Sequence, residues 1–521
     1  MALTTLNRRQ ILIGASVLGA STVAAMSSGK LAWAAEGKIL KVQNDQDIAV
    51  LDPANRNGWW EEMVMFVIFN GLCQFKSGKT WAWQLDAAQT LEQVDPTTIK
   101  FTLKPGIMWT NGFGEMTSED VKFSYERIAD PKANAGYQLD WAPLKEVEIV
   151  DKYSGIIHLT KAFPPLFNST LPHGSGLILC KAAVTKHGGA ITTDPLATSG
   201  PYKIKEWIAR QKLTLERNEL WKGPQPYFDE IQLIPIADLK TAEIGYDSGD
   251  LDVTKVSISS IPQLRSAADP KTVLTVDPAL AYTWLGMNIE HPKLKDLRVR
   301  RAIQQAIDVN GVLQAAYFGE VTPAFGSVPP SLDGHRTKNI YPYDPAASKK
   351  LLADAGVTGL KLRLDFNNDT DLVTMGLALQ AQLKVVGIDL TIHPMDSAAF
   401  DAEGTQAQGN SWKDMQIFIV KFTTSPDPSW TTSWFTCSQV GVWNWQRVCD
   451  KSYDTLNDVA TYETDPAKRI KEYVQLQDKL EESGAYLFLD NGVNAWISKS
   501  SIKPAWTPDG QWLMFRDTTA A

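Results

Sequence analysis

The sequence predicts an α/β fold that is divided into two lobes. Beyond residue 36, segments with the two-residue apolar period of strands alternate with segments that have helical spacing. In the second half, a strand at 360–366, a helix at 372–385 and a strand at 387–392 form a β-α-β unit, which implies a parallel pair and a right-handed crossover. We expect the first lobe to end near Met287.

The first half carries the signals of several short elements in order. Strands are predicted at 37–43 and 97–103, and a helix at 60–72. A second helix is predicted at 117–128, where the hydroxyls of Thr117 and Ser118 can cap free backbone amides. Hairpins are predicted at 147–159 and 202–217.

The second half adds longer helices and a return to the first lobe. Helix 345–355 begins with Pro345 and is followed by Gly356, which is the usual asymmetry of helix ends. A helix is also predicted at 298–306 and another at 466–481, with strands at 414–421 and 484–489. The residues after Leu487 can pair back onto the first lobe. Because no flexible linker separates the lobes, short strand crossings are expected to act as a hinge.

The N-terminus is predicted to be a signal peptide of the twin-arginine type, spanning residues 1–34. Arg8 and Arg9 precede an apolar run at 11–26, and a small-x-small site follows at 32–34. The alternative is an N-terminal membrane anchor, but the run is short and interrupted by small polar residues. Export to the periplasm as a soluble protein is therefore expected.

Composition narrows the classes of partner. The chain has 521 residues, 44% of them apolar and 21% charged, with a net charge of -8. A mildly acidic chain without a basic stretch argues against nucleic acid as a partner. The six histidines are scattered and no CxxC occurs, so neither a metal site nor a cofactor is expected.

Four cysteines in an exported chain are candidates for disulfides. Cys437 and Cys449 flank a short loop and are expected to pair. Cys73 and Cys180 lie far apart in the sequence, and they either pair or remain buried thiols.

Four sequence blocks together resemble a known family. They are 104–109 (KPGIMW), 199–202 (SGPY), 297–303 (LRVRRAI) and 343–352 (YDPAASKKLL). In this order they are similar to blocks of the peptide- and nickel-binding solute-binding proteins, the family 5 extracellular solute-binding proteins. The chain is also similar to the opine-binding members from agrobacteria.

The resemblance implies a two-lobed Venus-flytrap protein, type II-like, of the large cluster with an extra subdomain in lobe I. Lobe I would span 35–287 and return at 485–521, and lobe II would span 288–484. A small ligand would bind between the lobes of a monomer, and a membrane ABC permease would then read the closure. The opine resemblance implies an opine or a sugar phosphate of agrocinopine type as ligand.

The two charged anchors of the dipeptide-binding members are missing here. By alignment, Phe366 stands where those members carry an arginine, and Thr424 stands where they carry an aspartate. A buried peptide terminus without a partner charge is costly, so a free dipeptide is disfavoured. An oligopeptide held through its backbone remains the alternative ligand.

Candidate ligand-binding residues follow from the resemblance and from the clustering of tryptophans. Flat rings stack on the apolar faces of sugars, and hydroxyl, amide and carboxylate groups satisfy sugar hydroxyls. Each tryptophan has the alternative of a place in the core. The candidates are Arg56, Trp59, Tyr137, Trp141, Thr424, Ser425, Asp427, Trp430, Trp443, Asn444 and Trp445.

Two of these candidates have explicit alternatives. Arg56 could pair with a phosphate or carboxylate through its planar fork, or it could be an ordinary surface arginine. Asp427 could accept sugar hydroxyls, or it could brace its own loop beside two prolines.

Enzyme activity is not expected. The sequence contains no GxSxG, no HExxH and no P-loop. A glycosidase pair among the many carboxylates is the alternative that sequence alone leaves open, because sequence does not reveal carboxylate separation.

Overall fold

Strands and helices alternate along the chain in the computed structural model, which describes residues 37–189 and 191–521. The expected signal peptide lies outside these residues. The strands are β1 Ile39–Asn44, β2 Asn70–Gly71, β3 Cys73–Phe75, β4 Trp83–Leu85, β5 Ala88–Asp95, β6 Thr98–Leu103, β7 Leu144–Ile149, β8 Ser154–Leu159, β9 Leu177–Ile178, β10 Tyr202–Ile208, β11 Lys212–Arg217, β12 Glu230–Pro235, β13 Val253–Lys255, β14 Thr272–Pro278, β15 Ala281–Met287, β16 Leu360–Asn367, β17 Ile388–Met395, β18 Ile417–Thr423, β19 Tyr486–Asp490, β20 Val493–Lys499, β21 Ile502–Lys503 and β22 Thr519–Ala520. The helices are α1 Trp59–Ile68, α2 Ser118–Ala129, α3 Lys181–Lys186, α4 Leu239–Asp247, α5 Ile261–Ala267, α6 Leu297–Gln305, α7 Val309–Tyr317, α8 Pro345–Asp354, α9 Thr370–Val385, α10 Ser397–Gly404, α11 Pro428–Ser433, α12 Lys451–Tyr462 and α13 Pro466–Glu482.

The first lobe is built on a seven-stranded mixed sheet in the order β10-β11-β12-β1-β13-β20-β14. Strand β1 pairs in parallel with β12, and β10 and β11 form the predicted hairpin. A separate antiparallel sheet, β5-β6-β8-β7, lies within the same lobe, and we assign it to the expected subdomain. Helix α2 flanks it, and its N-cap residue, Thr117, forms a capping box with Asp120.

The second lobe is built on a five-stranded sheet in the order β17-β16-β18-β15-β19. Strands β16 and β17 run parallel and are joined by α9, so the predicted β-α-β unit is confirmed. The apolar side of α9 buries Leu372, Met375, Leu379 and Leu383 in the core of this lobe. The removal of this apolar surface from water is the main stabilising contribution to such a layer.

Two short connections join the lobes. Residues 279–280 link β14 to β15, and residues 491–492 link β19 to β20. The backbone N–H of Ala279 donates to the carbonyl of Gly492 at 3.2 Å, so the two connections lie side by side. Since β15 and β19 belong to the five-stranded sheet, we propose lobe boundaries at these connections rather than at 287 and 484.

The predicted disulfide is present between Cys437 and Cys449. Cys73 and Cys180 are buried free thiols. Within residues 37–189 and 191–521, no helix combines the length and the apolar character needed to cross a membrane.

Candidate functional site

A cavity of about 300 Å³ lies between the two lobes. The first lobe contributes the start of α1 and the C-terminal residues 509–512, and the second lobe contributes residues 423–425 and Trp430. The lining residues are Asn57, Gly58, Trp59, Trp60, Glu62, Tyr137, His173, Leu280, Thr423, Thr424, Ser425, Trp430, Asp509, Gln511 and Trp512. A ligand held here contacts both lobes and the connection at Leu280.

Tryptophans at the start of α1 form one wall of the cavity. The rings of Trp59 and Trp60 meet edge to face at 6.4 Å, and Trp59 packs in the same way on Trp496 at 6.0 Å. Gly58 makes this arrangement possible, because a Cβ atom there would lie 2.4 Å from the ring of Trp60. The absence of a Cβ atom at Gly58 therefore leaves room for the Trp60 ring.

A stack of three groups runs from the first lobe into the second. The guanidinium carbon of Arg56 lies 3.4 Å from the ring centroid of Tyr137. The other neighbour of Tyr137 is Trp430, whose ring is parallel within 5° at a centroid distance of 5.9 Å. Stacked rings and cation–π contacts of this kind are attractive, so the stack favours closure of the lobes.

Arg56 is a buried structural residue and does not line the cavity. Its side chain pairs with Glu62 and donates to the carbonyl of Pro53 at 2.6 Å and to Ser175 Oγ at 3.1 Å. Asp140 lies 3.9 Å from Nη2. Both readings from sequence, a phosphate-binding fork and a surface arginine, are therefore wrong, because protein groups already surround the guanidinium.

Glu62 lines the cavity as an ionised carboxylate. Burial alone would raise its pKa, but the charges of His173 and Arg56 outweigh burial and lower the pKa to about 2. His173 Nε2 lies 3.4 Å from Oε2 of Glu62. The charge of Glu62 is therefore compensated within the protein.

Asp509 is a second buried carboxylate in the cavity, and it has a different environment. Its Oδ1 accepts hydrogen bonds from Thr507 Oγ1 at 2.8 Å and from the backbone N–H of Gln511 at 3.2 Å. Among the described residues no Lys, Arg or His lies within 4.0 Å of it. Burial raises its pKa to about 6, because these hydrogen bonds and the more distant charge of His173 only partly offset the loss of hydration.

The second lobe contributes two hydroxyl side chains to the cavity, and a buried carboxylate stabilises the loop next to them. Thr424 and Ser425 line the cavity, and the N–H of Thr424 donates to the carbonyl of Leu280 at 2.8 Å. Asp427 does not line it. Its Oδ1 accepts from Ser429 and Arg469, and its Oδ2 accepts from Asn168 Nδ2 of the first lobe at 3.0 Å. Asp427 therefore braces its loop and links the lobes.

The loop between the disulfide cysteines lies away from the cavity lining. Asn444 is buried and donates to the carbonyls of Phe435 and Val448 at 3.1 and 2.8 Å. Trp445 is buried against Phe418 in the core of the second lobe. Trp443 is 40% exposed. The expectation that these three residues face the ligand is not supported by their positions.

Trp141 is a core residue of the first lobe. Its ring stacks on Tyr125 at 4.2 Å, and its Nε1 donates to the carbonyl of Ser175 at 2.9 Å. Of the eleven candidates, the cavity therefore brings together Trp59, Tyr137, Thr424, Ser425 and Trp430.

Sequence reasoning missed several lining residues, including Glu62, His173, Asp509 and Trp512. Residues 509–512 carry no local signal, because they reach the cavity only through the return of the chain to the first lobe.

One group of possible metal ligands exists among the described residues, outside the cavity. Ligand atoms of Asp365, His393 and Glu403 lie within 4.8 Å of one another. Arg363 Nε lies 2.7 Å from Asp365 Oδ1 as an ion pair, and the same guanidinium also pairs with Glu403. A guanidinium thus occupies the place of a cation, and the group is a salt-bridge network.

Two α/β lobes, two short connections and a cavity lined by both lobes define a two-lobed solute-binding protein. A family model for bacterial extracellular solute-binding proteins, family 5 (middle region), matches residues 83–443. The chain belongs to this family, whose members are components of ABC transporters and are not enzymes. The resemblance seen in the sequence blocks is thereby confirmed.

Relatives of known name and structure agree with this assignment. The glutathione-binding protein GsiB of Pectobacterium atrosepticum is 25% identical over 501 residues, covering 94% of each chain. CtaP, an ABC transporter substrate-binding protein of Listeria monocytogenes, superposes with a TM-score of 0.82 at 20% identity, over 93% of this chain and 99% of CtaP. MoaA of A. tumefaciens R10, solved with mannopinic acid, has a TM-score of 0.77 at 24% identity with the same coverage. The two structures establish the fold.

Proposed function

We propose that the chain captures a small solute of opine type in the periplasm, as a monomer, and delivers it to the permease of an ABC importer. The observation that carries this proposal is the cavity between the lobes, with Trp59 and Asp509 on one side and Thr424 and Trp430 on the other. A ligand that contacts both sides binds the closed form better than the open form, so it shifts the population toward closure.

An opine that carries an amine and hydroxyls suits the lining better than a sugar phosphate. The cavity walls contain carboxylates, hydroxyls and five aromatic rings, and among the described lining residues there is no Lys or Arg. Arg56, the expected phosphate partner, is enclosed by Glu62 and Pro53. The sugar phosphate agrocinopine, expected from the sequence, is therefore not favoured. The MoaA complex with mannopinic acid supports an opine of amine type.

A short peptide is the second candidate. GsiB, a glutathione-binding protein, aligns with 94% of this chain. A cavity of about 300 Å³ is at the lower end of the range for small-molecule sites, so a short peptide is favoured over a long one. Phe366 is fully buried and Thr424 offers only a hydroxyl, so end charges at these two positions do not hold such a peptide.

The test is a calorimetric titration of the protein after unfolding and refolding to remove any bound solute. Mannopinic acid, agrocinopine and glutathione are titrated separately, and small-angle X-ray scattering records whether each solute closes the lobes. Binding of mannopinic acid with closure supports the proposal. Binding of glutathione alone assigns the peptide alternative, and closure by none of the three contradicts a cavity for this class of solute.

A further inference from the structure

We propose, building on the solute-binding function above, that this cavity selects solutes with a positively charged amino group, which Asp509 and the surrounding tryptophan and tyrosine rings hold. The ammonium group would lie among the rings, and the carboxylate of Asp509 would be its counter-ion. Solutes of the same shape that lack the positively charged amino group would bind more weakly.

The charges of the lining support this specificity. Glu62 and Asp509 are the acidic residues of the lining, and Lys and Arg are absent from its described residues. Glu62 is paired with Arg56 and has His173 beside it. Asp509 has hydrogen bonds to Thr507 and Gln511 but no cation within 4.0 Å among the described residues, although only 2% of its surface is exposed. A buried carboxylate of this kind is stabilised when a ligand supplies the missing positive charge.

Lys255, a lysine that lies against the ring of Trp59, pairs with a different carboxylate. Lys255 Nζ lies 3.8 Å from Oδ2 of Asp45 and 4.9 Å from the ring centroid of Trp59. It lines a wider opening of about 810 Å³, together with Asp45 and Asp369, and not the cavity that contains Asp509. Lys255 therefore forms no close ion pair with Asp509, and the two charges interact only at longer range, so the carboxylate can still attract a ligand.

The aromatic residues favour an organic cation. Trp59, Trp60 and Trp512 of the first lobe, Tyr137 of the same lobe and Trp430 of the second lobe all line the cavity. The faces of such rings attract ammonium groups, and the attraction grows when water is excluded. Stacking on a neutral sugar would account for the rings but not for an uncompensated buried carboxylate.

An inorganic divalent cation does not fit the same residues. Such an ion requires several oxygen, nitrogen or sulfur ligands close together. In the described part of the chain, the group of three or more potential ligands within reach of one another is Asp365, His393 and Glu403, which does not include Asp509. A single carboxylate among aromatic rings instead suits an ammonium group.

The test compares choline with 3,3-dimethylbutan-1-ol, a neutral molecule of nearly the same shape. Both are titrated into the refolded mature protein, and tryptophan fluorescence reports occupancy of the cavity. We expect saturable binding of choline and at least tenfold weaker binding of the neutral molecule. Equal binding of the two, or no binding of choline, would overturn the proposal.

Two variants locate the effect. Asp509→Asn keeps the oxygen that accepts from Thr507 and Gln511 but removes the charge, and it is expected to weaken choline binding at least tenfold. Asp517→Asn, at an exposed carboxylate that lines a different cavity, is the matched control and should bind choline as the wild type does. Unfolding midpoints of both variants establish that they are folded. If Asp509→Asn does not fold, the comparison of choline with its neutral analogue on the wild type still tests the specificity for a cation.

The result is separable from the proposed function. If mannopinic acid closes the lobes but choline and its neutral analogue bind alike, the cation specificity is wrong and the solute-binding role stands. If no solute closes the lobes but choline binds through Asp509, the cation site stands and the proposed opine function is wrong.

Discussion

The rings of Tyr137 and Trp430 stack in parallel across the cavity, with centroids 5.9 Å apart. Tyr137 belongs to the first lobe and Trp430 to the second, so this contact exists only when the lobes are close. Arg56 lies against Tyr137 and fixes its ring, because the guanidinium is itself held by Glu62. The stack therefore connects a rigid group in one lobe to a cavity residue in the other.

Replacement of Trp430 by Ala should weaken solute binding and closure together. Loss of the stack and of the buried ring area is expected to lower affinity by a factor of about 10. Calorimetry with the solute that binds the wild type measures this change. Trp443→Ala is the control, since Trp443 is a partly exposed tryptophan of the same lobe outside the cavity lining. An equal loss in both variants would contradict the role assigned to Trp430.

Replacement of Asn168 by Ala should favour the open form. Its hydrogen bond to Asp427 links the lobes at 3.0 Å, and a bond of this type contributes about 1 kcal/mol, more when one partner is charged. Scattering of the ligand-free variant is expected to give a larger radius of gyration than the wild type. Ser169→Ala is the control, because the Ser169 hydroxyl donates within its own segment to Pro165. An unchanged radius would mean that other contacts hold the lobes.

Acid should destabilise the protein through Glu62. Its pKa is about 2 in the folded state and 4.5 ordinarily, so its contribution to stability is complete above pH 4.5 and is lost as pH falls toward 2. The shift corresponds to roughly 3 kcal/mol at most. Arg56, His173, Tyr137 and Asp140 are the titratable groups that face it. Urea unfolding at pH 6 and pH 3 measures the loss.

Glu62→Gln tests the assignment of that acid transition. The variant is expected to be less stable than the wild type at pH 6, because Arg56 loses its closest partner, and to lose less stability between pH 4.5 and 3. If wild type and variant lose stability in parallel over that range, carboxylates other than Glu62 control acid unfolding.

Ionisation of Asp509 should destabilise the folded protein as pH rises, whereas ionisation of Glu62 stabilises it. Its pKa of about 6 exceeds the ordinary 3.8, so the folded protein binds a proton more tightly than the unfolded chain does. Its ionisation therefore reduces stability as pH rises from about 4 to 6, and the reduction is complete above pH 6. Asp509→Asn is expected to unfold at higher urea concentration than the wild type at pH 7.5 but not at pH 4. A variant that is less stable at both values would contradict this.

The disulfide should stabilise its loop and the second lobe. Closing a loop between residues 12 apart contributes about 3 kcal/mol by the loop-entropy relation. The double change of Cys437 and Cys449 to Ser is expected to lower the urea midpoint, and dithiothreitol should have no further effect on it. The matched control, Cys180→Ser, should retain the sensitivity to dithiothreitol, because Cys180 is a free thiol.

The elements of the fold were largely predictable from local patterns. The unit β16-α9-β17 was predicted from apolar spacing that changes from the period of a strand to that of a helix and back. The start of α8 was predicted from Pro345 and its end from Gly356. Short crossings between the lobes were predicted, but their positions at 279–280 and 491–492 were not. The wholly buried strands β15 and β19 lack the polar alternation that marks a strand end, and the turn signal Asn491-Gly492 just after β19 was not used.

The site was less predictable, because burial and partners decide it. Arg56 and Asp427 have the chemistry of ligand-binding residues, but each forms an ion pair within the protein, Arg56 with Glu62 and Asp427 with Arg469. Trp430 and Trp445 are alike in sequence, whereas one lines the cavity and the other is in the core. Asp509 is brought to the cavity by the C-terminal return, and no local pattern reports such a long-range approach.

The pairing of the two inter-lobe connections limits how the molecule moves. Because Ala279 is hydrogen bonded to Gly492, we expect the two crossings to move together, which leaves a motion close to a rotation about one axis. The angle of that rotation is then a single variable set by the bulk of whatever fills the cavity. A solute too large for the Tyr137–Trp430 contact would leave the rotation incomplete, so a permease that senses this angle would reject the solute even though it binds.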